Sequence, residues 1–220
     1  MLETFDSADA LTDPAALGIE SCLAEALRSG GEATLVATGG RSPGAVYDRL
    51  AVAGLDWARV TVTLSDERCV APDAPEANAR LVRERLLQGP AAKARLLPLW
   101  PDPGRAALEA LAPFDAVMLG MGEDGHVASL IPGDPGLPRA LITERLTHAV
   151  PAGVGSPPVA RITLTLSALC QSRAIFLLIA GEAKRQVLAR AVAGEDLPVG
   201  RLISQANAPI RVLWAPAFGG

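Results

Sequence analysis

Residues 114–126 read Phe-Asp-Ala-Val-Met-Leu-Gly-Met-Gly-Glu-Asp-Gly-His, an apolar run followed at once by a glycine-rich loop with a histidine. The run at 114–119 is short, which favours a strand over a helix. It is apolar almost throughout and does not alternate with polar residues, as is typical of a strand buried on both faces of a parallel sheet. The pattern therefore predicts a buried strand that ends where the loop 120–126 begins.

Similar apolar runs recur along the chain and alternate with helical patterns. Short apolar runs predict strands at residues 33–37, 60–64, 96–99, 175–180 and 211–214, and strand-like segments lie near residues 146–150 and 161–165. Apolar residues at helical spacing predict helices at residues 16–28, 43–51, 75–87, 105–111 and 182–193. This alternation predicts an α/β fold, a mostly parallel sheet with helices on both faces in a Rossmann-like three-layer architecture. We expect one domain over residues 1–220.

The composition disfavours several classes of protein. The net charge of −4 gives no electrostatic footprint for a nucleic-acid partner. The N-terminus lacks the apolar run of a signal peptide, and the longest strongly apolar stretch, 174–180, is too short to span a bilayer. Three isolated cysteines fit a reducing cytoplasm, and two histidines offer no zinc-ligand spacing. We therefore expect a cytoplasmic protein with no structural metal, no nucleic-acid partner and no membrane contact.

Three polar or glycine-rich loops follow predicted strands, at residues 38–43, 65–68 and 120–130. In open parallel sheets, ligands bind beyond the carboxyl ends of the strands. The three loops are therefore the places where we expect the functional residues.

The first loop is Thr-Gly-Gly-Arg-Ser-Pro at residues 38–43. Gly39 and Gly40 would let the backbone approach a ligand, Ser42 is a plausible helix N-cap, and Pro43 suits the first helical position. A helix N-terminus here would favour a phosphate or a developing oxyanion. A tight turn with an ordinary cap explains the same residues equally well. The segment is not a Walker A loop, because no Gly-Lys-Ser/Thr follows.

The second loop, Ser-Asp-Glu-Arg at residues 65–68, places three charges in a row at a strand end. Such charges are costly to bury without partners. Arg68 could bind a phosphate with two hydrogen bonds, while Asp66 and Glu67 could orient sugar hydroxyls or transfer protons. The alternative is a solvated turn with a local ion pair. Asn78, at the start of the next helix, could direct a polar group back to the site.

The third loop contains Gly-x-Gly-x-x-Gly at residues 120–125, with Glu144 about twenty residues further on, as in a dinucleotide fingerprint. Pro132 and Pro135 interrupt the helix that this fingerprint requires, so the dinucleotide hypothesis is disfavoured. His126 instead suits general-base catalysis, because histidine changes its protonation state near neutral pH. The nearby carboxylate of Asp124 could fix its tautomer. We expect the second histidine, His148, to be structural.

Taken together, these segments resemble the 6-phosphogluconolactonase family, which is related to glucosamine-6-phosphate deaminases and isomerases. The resemblance covers nearly the whole chain and rests on five motifs, at residues 38–43, 65–70 with Asn78, 120–130, 161–165 and 181–184. One departure lies in the first motif, where Thr38, Arg41 and Ser42 replace the Ser, Ser and Thr more usual in the family.

The resemblance implies hydrolysis of 6-phospho-D-glucono-1,5-lactone to 6-phosphogluconate, the second step of the oxidative pentose phosphate pathway, without metal or organic cofactor. His126 would activate water and Asp124 would be its partner. Arg68, Lys184 and Arg161 would hold the phosphate. The full set of candidate residues comprises the catalytic group His126, Asp124 and Asp66 and the substrate-binding group Gly39, Gly40, Ser42, Glu67, Arg68, Arg161 and Lys184. The expected partner is a small sugar phosphate, and the protein is expected to be a monomer or a weak homo-oligomer.

Three other functions are compatible with parts of the sequence. In the related deaminases, the third motif continues into Phe-Asn-Glu-Pro, whose Glu transfers protons. Ile131 stands at that position here, and Arg68 stands where the deaminases typically have Tyr. A non-catalytic sugar-phosphate-binding regulator would carry a helix-turn-helix domain, for which we see no room before Ala33. An inactive homologue would have a broken site, and no motif position is broken.

Overall fold

The computed structural model describes residues 2–40, 42–102 and 104–216. Its strands are β1 (Leu2–Thr4), β2 (Ala33–Ala37), β3 (Val60–Leu64), β4 (Asp66–Arg68), β5 (Arg95–Leu96), β6 (Ala116–Gly120), β7 (Thr147–Val150), β8 (Arg161–Leu164), β9 (Ile175–Ala180) and β10 (Ile210–Ala215). Its helices are α1 (Ala8–Ser29), α2 (Gly44–Ala51), α3 (Asn78–Leu81), α4 (Arg105–Glu109), α5 (Leu137–Ala140), α6 (Leu166–Cys170), α7 (Glu182–Val192) and α8 (Pro198–Gln205). A π-helical turn, Val82–Leu86, continues α3.

In these residues the main sheet has seven strands in the order β1-β10-β9-β6-β2-β3-β5, all of them parallel. The inner strands are short apolar runs whose residues are almost all buried, because helices cover both faces. This confirms the predicted α/β fold class.

The chain changes direction in the sheet between β2 and β6. After β2 it adds β3 and β5 on one side and then returns to place β6 on the other side of β2. The loops that follow β2 and β6 therefore leave the sheet in opposite directions. Such a switch point opens a crevice beyond the carboxyl ends of the two strands, where α/β proteins bind ligands.

A second, antiparallel sheet of three strands, in the order β4-β8-β7, was not predicted as a unit. We expected residues 65–68 to be a loop, but 66–68 form β4, which pairs with β8 so that Arg68 lies opposite Arg161. A short strand of charged residues has no apolar pattern from which it could be recognised. Its conformation comes from pairing with a distant segment, a tertiary effect.

Several helices also differ from the predictions. Helix α1 begins at Ala8, eight residues before the predicted start, because Ser7 caps it by accepting a hydrogen bond from the Ala10 N–H at 3.1 Å. Pro14 lies inside α1. Proline removes one helical hydrogen bond, and burial of one face of the helix compensates for this loss. Short elements such as β1, α5, α6 and α8 were not predicted. No helix in the described ranges combines the length and apolar character needed to cross a membrane.

We expect Leu177→Ala, in the buried strand β9, to lower the free energy of unfolding by about 2–5 kcal/mol, because it removes apolar contacts and leaves a cavity. Leu17→Ala, on the exposed side of α1, is the control and should change that free energy by about 0.5 kcal/mol or less. Urea unfolding followed by circular dichroism measures both. Similar values for the two variants would contradict a sheet covered on both faces.

Candidate active site

A cavity of about 1070 Å³ opens at the carboxyl edge of the main sheet, at the switch point between β2 and β6. The three predicted loops all contribute to it, together with the segment that follows β9. Among the lining residues are Thr38, Gly39, Gly40, Ser42, Asp66, Arg68, Asn78, Gly120, Gly122, His126, Ile131, Gly155, Arg161, Gly181 and Lys184. The structure thus brings together most of the residues that the sequence singled out.

His126 lines this cavity and is held by Asp124. The Nδ1 atom of His126 lies 2.6 Å from Oδ1 of Asp124, and the His126 backbone N–H donates to the same oxygen at 3.2 Å. Burial opposes ionisation of Asp124, but hydrogen bonding to His126 and its charge outweigh burial, so the pKa of the Asp124 carboxyl lies below its usual range. A carboxylate at Nδ1 favours the tautomer with its proton there. That leaves Nε2 as the ring atom that can accept a proton.

The glycines around His126 are explained by packing and not by a dinucleotide. A Cβ on Gly122 would overlap both the imidazole of His126 and the carboxylate of Asp124. Gly125 has φ +80°, and a Cβ there would lie 2.9 Å from Leu197 Cδ1. The Gly122 N–H donates to the His126 carbonyl at 3.0 Å, so the loop folds back on itself. No helix follows it directly among the described residues, since α5 begins only at Leu137, which argues against the dinucleotide hypothesis.

Asp66 lies at the cavity wall, but both of its carboxylate oxygens are already hydrogen-bonded. Oδ2 accepts from the Ser129 hydroxyl at 2.6 Å, and Oδ1 accepts from the Ser65 hydroxyl at 3.1 Å and from Asn78 Nδ2 at 3.4 Å. The Ser129 backbone N–H donates to Thr163 Oγ1 at 3.0 Å. Asp66 therefore joins the second and third loops, a supporting role that the sequence left open beside a catalytic one.

Glu67 is not among the residues that line the cavity, and its carboxylate is bound to backbone groups instead. Its buried carboxylate accepts the backbone N–H groups of Arg68, Asn78 and Ala79 at 2.7–2.8 Å. Burial raises the pKa of Glu67, and these three donors oppose that rise. The side chain is directed to the first turn of α3, where a carboxylate satisfies backbone N–H groups that have no helical partner.

Two arginines face the cavity from neighbouring strands of the small sheet. Arg161 is only 4% exposed, and its Nη2 donates to the Pro157 carbonyl at 2.8 Å while its Nη1 donates to Ser129 Oγ at 3.4 Å. Arg68 Nη1 donates to the Glu76 carbonyl at 2.5 Å. Within the described part of the chain, the buried Nε atoms of both arginines have no hydrogen-bond partner.

The electrostatics of this arginine pair favour an anion. Burial and the neighbouring charge of Arg68 lower the pKa of Arg161, and Asp66 only partly opposes them. Because the carboxylate of Asp66 is occupied by hydroxyl and amide donors, it does not neutralise the guanidinium directly. An anion in the cavity could supply both the missing charge and the missing acceptors.

The remaining predicted residues all line the cavity, but the predicted N-cap of α2 is wrong. Gly39, Gly40 and Ser42 line the cavity after β2, and Lys184 lines it from the first turn of α7. Ser42 is not the N-cap of α2. Pro43 occupies that position in a helical conformation, so Ser42 lies one residue too early, and no side chain caps this helix. Arg41 lies outside the described residues.

Three further residues, Tyr47, Ser129 and Thr163, support the first and third loops, and the sequence did not point to them. The Tyr47 hydroxyl accepts from the Thr38 N–H at 2.8 Å and donates to the Thr38 carbonyl at 2.6 Å, and burial raises its pKa. Tyr47 is the only tyrosine in the sequence and lies in the helix that follows the first loop. This position could have marked it as a residue that supports the loop. Ser129 and Thr163 lie within the recognised motifs, but their buried contacts could not be inferred from spacing.

Over residues 2–40, 42–102 and 104–216, no group of three or more His, Cys, Asp or Glu side chains is arranged to hold a metal ion.

Comparison with known proteins agrees with this geometry. The family model described as glucosamine-6-phosphate isomerases/6-phosphogluconolactonase matches residues 6–214. The 6-phosphogluconolactonase of Caulobacter vibrioides is 41% identical over 225 residues, which cover 97% of each chain. That of Rhizobium meliloti is 37% identical over 98% of each chain.

Solved structures show the same relationship. The crystal structure of a 6-phosphogluconolactonase from Shewanella baltica superposes with a TM-score of 0.89 at 37% identity, covering 98% of this chain and 97% of that one. A monomeric glucosamine-6-phosphate deaminase has a TM-score of 0.78 at 19% identity, covering 97% of this chain and 96% of that one, so it shares the fold. With a family match over residues 6–214 and relatives this similar over nearly their whole length, the chain belongs to the glucosamine-6-phosphate isomerase/6-phosphogluconolactonase family.

Proposed function

We propose that this protein hydrolyses 6-phospho-D-glucono-1,5-lactone to 6-phosphogluconate, the second step of the oxidative pentose phosphate pathway. The observation that carries the proposal is one cavity that holds a carboxylate-oriented histidine, His126, and two arginines, Arg68 and Arg161, whose buried Nε atoms have no partner in the described residues. The histidine suits attack on a carbonyl, and the arginines suit a phosphate on the same small molecule. Its 6-phosphogluconolactonase relatives support the same reaction.

In the proposed mechanism, His126 acts as the general base. Nε2 takes a proton from water while the water oxygen forms a bond to the lactone carbonyl carbon, which gives a tetrahedral oxyanion. The oxyanion then collapses, the bond from that carbon to the ring oxygen breaks, and His126 returns the proton to the departing ring oxygen. Asp124 stabilises the imidazolium that forms between the two steps.

The loop after β2 is suited to stabilising the oxyanion. Gly40 has φ +95°, and a Cβ placed there would meet no atom within 4 Å, so this glycine faces open space, whereas a Cβ on Gly39 would overlap the Asn78 side chain. Glycine is required at position 40 by its backbone conformation and not by crowding. Backbone N–H groups of Gly39 and Gly40 can then donate to a negative oxygen in the cavity, as in other acyl-transfer sites.

The phosphate is assigned to Arg68 and Arg161, with Lys184 at the same cavity. Guanidinium groups can donate two parallel hydrogen bonds to a phosphate, and the buried Nε atoms of these arginines have no acceptor within the described residues. Asp66 and Glu67 support the second loop and are not assigned a step in the reaction.

The site is less suited to amino-sugar deamination. Ile131 is buried at the cavity wall, at the position where the deaminases were expected to carry a glutamate. An aliphatic side chain cannot transfer protons. The carboxylate of Asp66 is held by hydroxyl and amide donors, so it is also poorly placed to act as a free base.

We also propose a cytoplasmic location and a monomer or weak homo-oligomer that binds no nucleic acid. The three cysteines are free thiols, which fits a reducing compartment. The net charge of −4 gives little attraction for a polyanion.

The first test is a lactonase assay on freshly prepared 6-phosphogluconolactone, run beside glucosamine 6-phosphate. Because the lactone also hydrolyses without enzyme, the background rate is subtracted. We expect a protein-dependent rate with the lactone and none with the amino sugar. Turnover of glucosamine 6-phosphate alone would replace the proposal with the deaminase function, and no turnover of either would favour a binding protein.

His126→Ala should lower kcat by about 10²–10⁴-fold with little change in KM, because the imidazole acts in the transition state and not in phosphate binding. Asp124→Asn should also lower kcat, since it removes the charge that stabilises the imidazolium. Steady-state kinetics measure both variants. A His126→Ala enzyme with near-normal kcat would refute the base assignment.

Arg161→Ala should raise KM for the phosphorylated lactone by about tenfold or more, as expected when a hydrogen bond to a charged group is lost. The conservative Arg161→Lys keeps the positive charge but lacks the planar guanidinium. Its KM should lie between those of the wild type and Arg161→Ala. With unphosphorylated glucono-1,5-lactone, neither change should alter kcat/KM by more than about twofold. Equal losses with both lactones would contradict a phosphate role.

A further inference from the structure

The chain contains a second histidine–carboxylate pair, outside the cavity. His148 Nε2 lies 2.7 Å from Asp134 Oδ2, and the side chains are 17% and 1% exposed. Neither residue lines the cavity. His148 belongs to β7 of the small sheet, whereas Asp134 belongs to the turn that continues the third loop beyond Ile131. The proposed reaction uses neither of them.

Asp134 determines the shape of this turn. Its Oδ1 accepts the Gly136 N–H at 2.9 Å, its own N–H donates to the Ile131 carbonyl at 3.1 Å, and its carbonyl accepts the Leu137 N–H at 3.0 Å. A Cβ on Gly136 would overlap the His148 ring, so the imidazole packs directly on the backbone of the turn. His148 therefore anchors the turn to the small sheet by a hydrogen bond and by packing.

The turn leads directly to the phosphate side of the site. Ile131, at its start, lines the cavity and packs against Gly155: a Cβ on Gly155 would lie 2.8 Å from Ile131 Cδ1 and 3.3 Å from Arg161 Nη2. Two residues further on, the Pro157 carbonyl accepts a hydrogen bond from Arg161 Nη2 at 2.8 Å. Contacts therefore run without a gap from His148 and Asp134 through Ile131 to the segment that orients Arg161.

We propose that His148 and Asp134 are positioning residues for the phosphate-binding side of the active site. They hold Ile131 against the segment around Gly155, and that segment keeps the Arg161 guanidinium directed into the cavity. His126 is oriented separately, by Asp124 and the packing around Gly122. Loss of the second pair should therefore weaken binding of the phosphorylated substrate and leave the chemical step intact. This inference rests on the proposed function.

The test compares His148→Leu with His148→Gln in the full-length protein. Leucine removes the hydrogen bond, whereas glutamine places an amide nitrogen at about the position of Nε2 and keeps it. We expect His148→Leu to raise KM for 6-phosphogluconolactone by about fivefold to tenfold, with kcat within about twofold of the wild type. The Kd of the product 6-phosphogluconate, measured by calorimetry, should rise by the same factor. His148→Gln should restore both values to within about twofold of the wild type.

A purely structural role would lower stability without this separation of KM from kcat. Unchanged KM and Kd in His148→Leu, or a fall in kcat with KM unchanged, would overturn the proposal. If His148→Leu does not fold, Ile131→Ala tests the same path without disturbing the buried pair. It should raise KM and Kd in the same way, and unchanged values would overturn the proposal. Failure of the proposed function is distinct, since the wild-type protein would then lack lactonase activity.

Discussion

The hydrogen bonds of the buried Asp66 carboxylate hold the segments of the site together. It ties together three segments that are far apart in the chain: the end of β3 through Ser65, the start of α3 through Asn78, and the third loop through Ser129. A buried carboxylate without partners would be very costly, so its position is fixed by the donors around it. Each of these donors belongs to a segment that also lines the cavity or supports its wall.

Unlike Asp66, the two arginines of the site have polar atoms without hydrogen-bond partners in the described residues. Arg161 and Arg68 are adjacent in the small sheet, and their buried Nε atoms are left without partners in the described residues. The fold therefore keeps two like charges close together at a cost in free energy. An anion that binds there removes that cost as well as adding its own hydrogen bonds. This arrangement favours binding of an anion over the stability of the protein alone.

The parts of this fold that could be predicted are those determined by local apolar patterns. Strands β2, β3 and β9 begin and end at the predicted residues because each is a short run of apolar residues, interrupted only by threonine in β2 and β3. The segments at residues 38–43 and 65–68 directly follow β2 and β3, so their positions could be predicted with those strands. The pairing of His126 with Asp124 could also be predicted, because the two residues are close in sequence and lie in a glycine-rich loop.

The parts that could not be predicted depend on contacts between distant segments. Strand β4 is made of charged residues, and it forms only because β8 pairs with it. Glu67 was expected to bind substrate, but its carboxylate accepts hydrogen bonds from three backbone N–H groups, those of Arg68, Asn78 and Ala79. The shift of the α2 cap from Ser42 to Pro43 is a difference of one residue at a helix end, where sequence patterns are least exact.

The two halves of the site also differ in how they are assembled during folding. Asp124 and His126 are two residues apart, so their contact needs little chain closure. The support of the arginines relies on contacts such as Ser129 to Asp66, 63 residues apart, and Thr163 to Ser65, 98 residues apart. Contacts that close long stretches of chain cost more loop-closure entropy than contacts between near neighbours, and they depend on the rest of the fold. A partly opened molecule can therefore retain its histidine–aspartate pair while it has already lost the means to hold a phosphate.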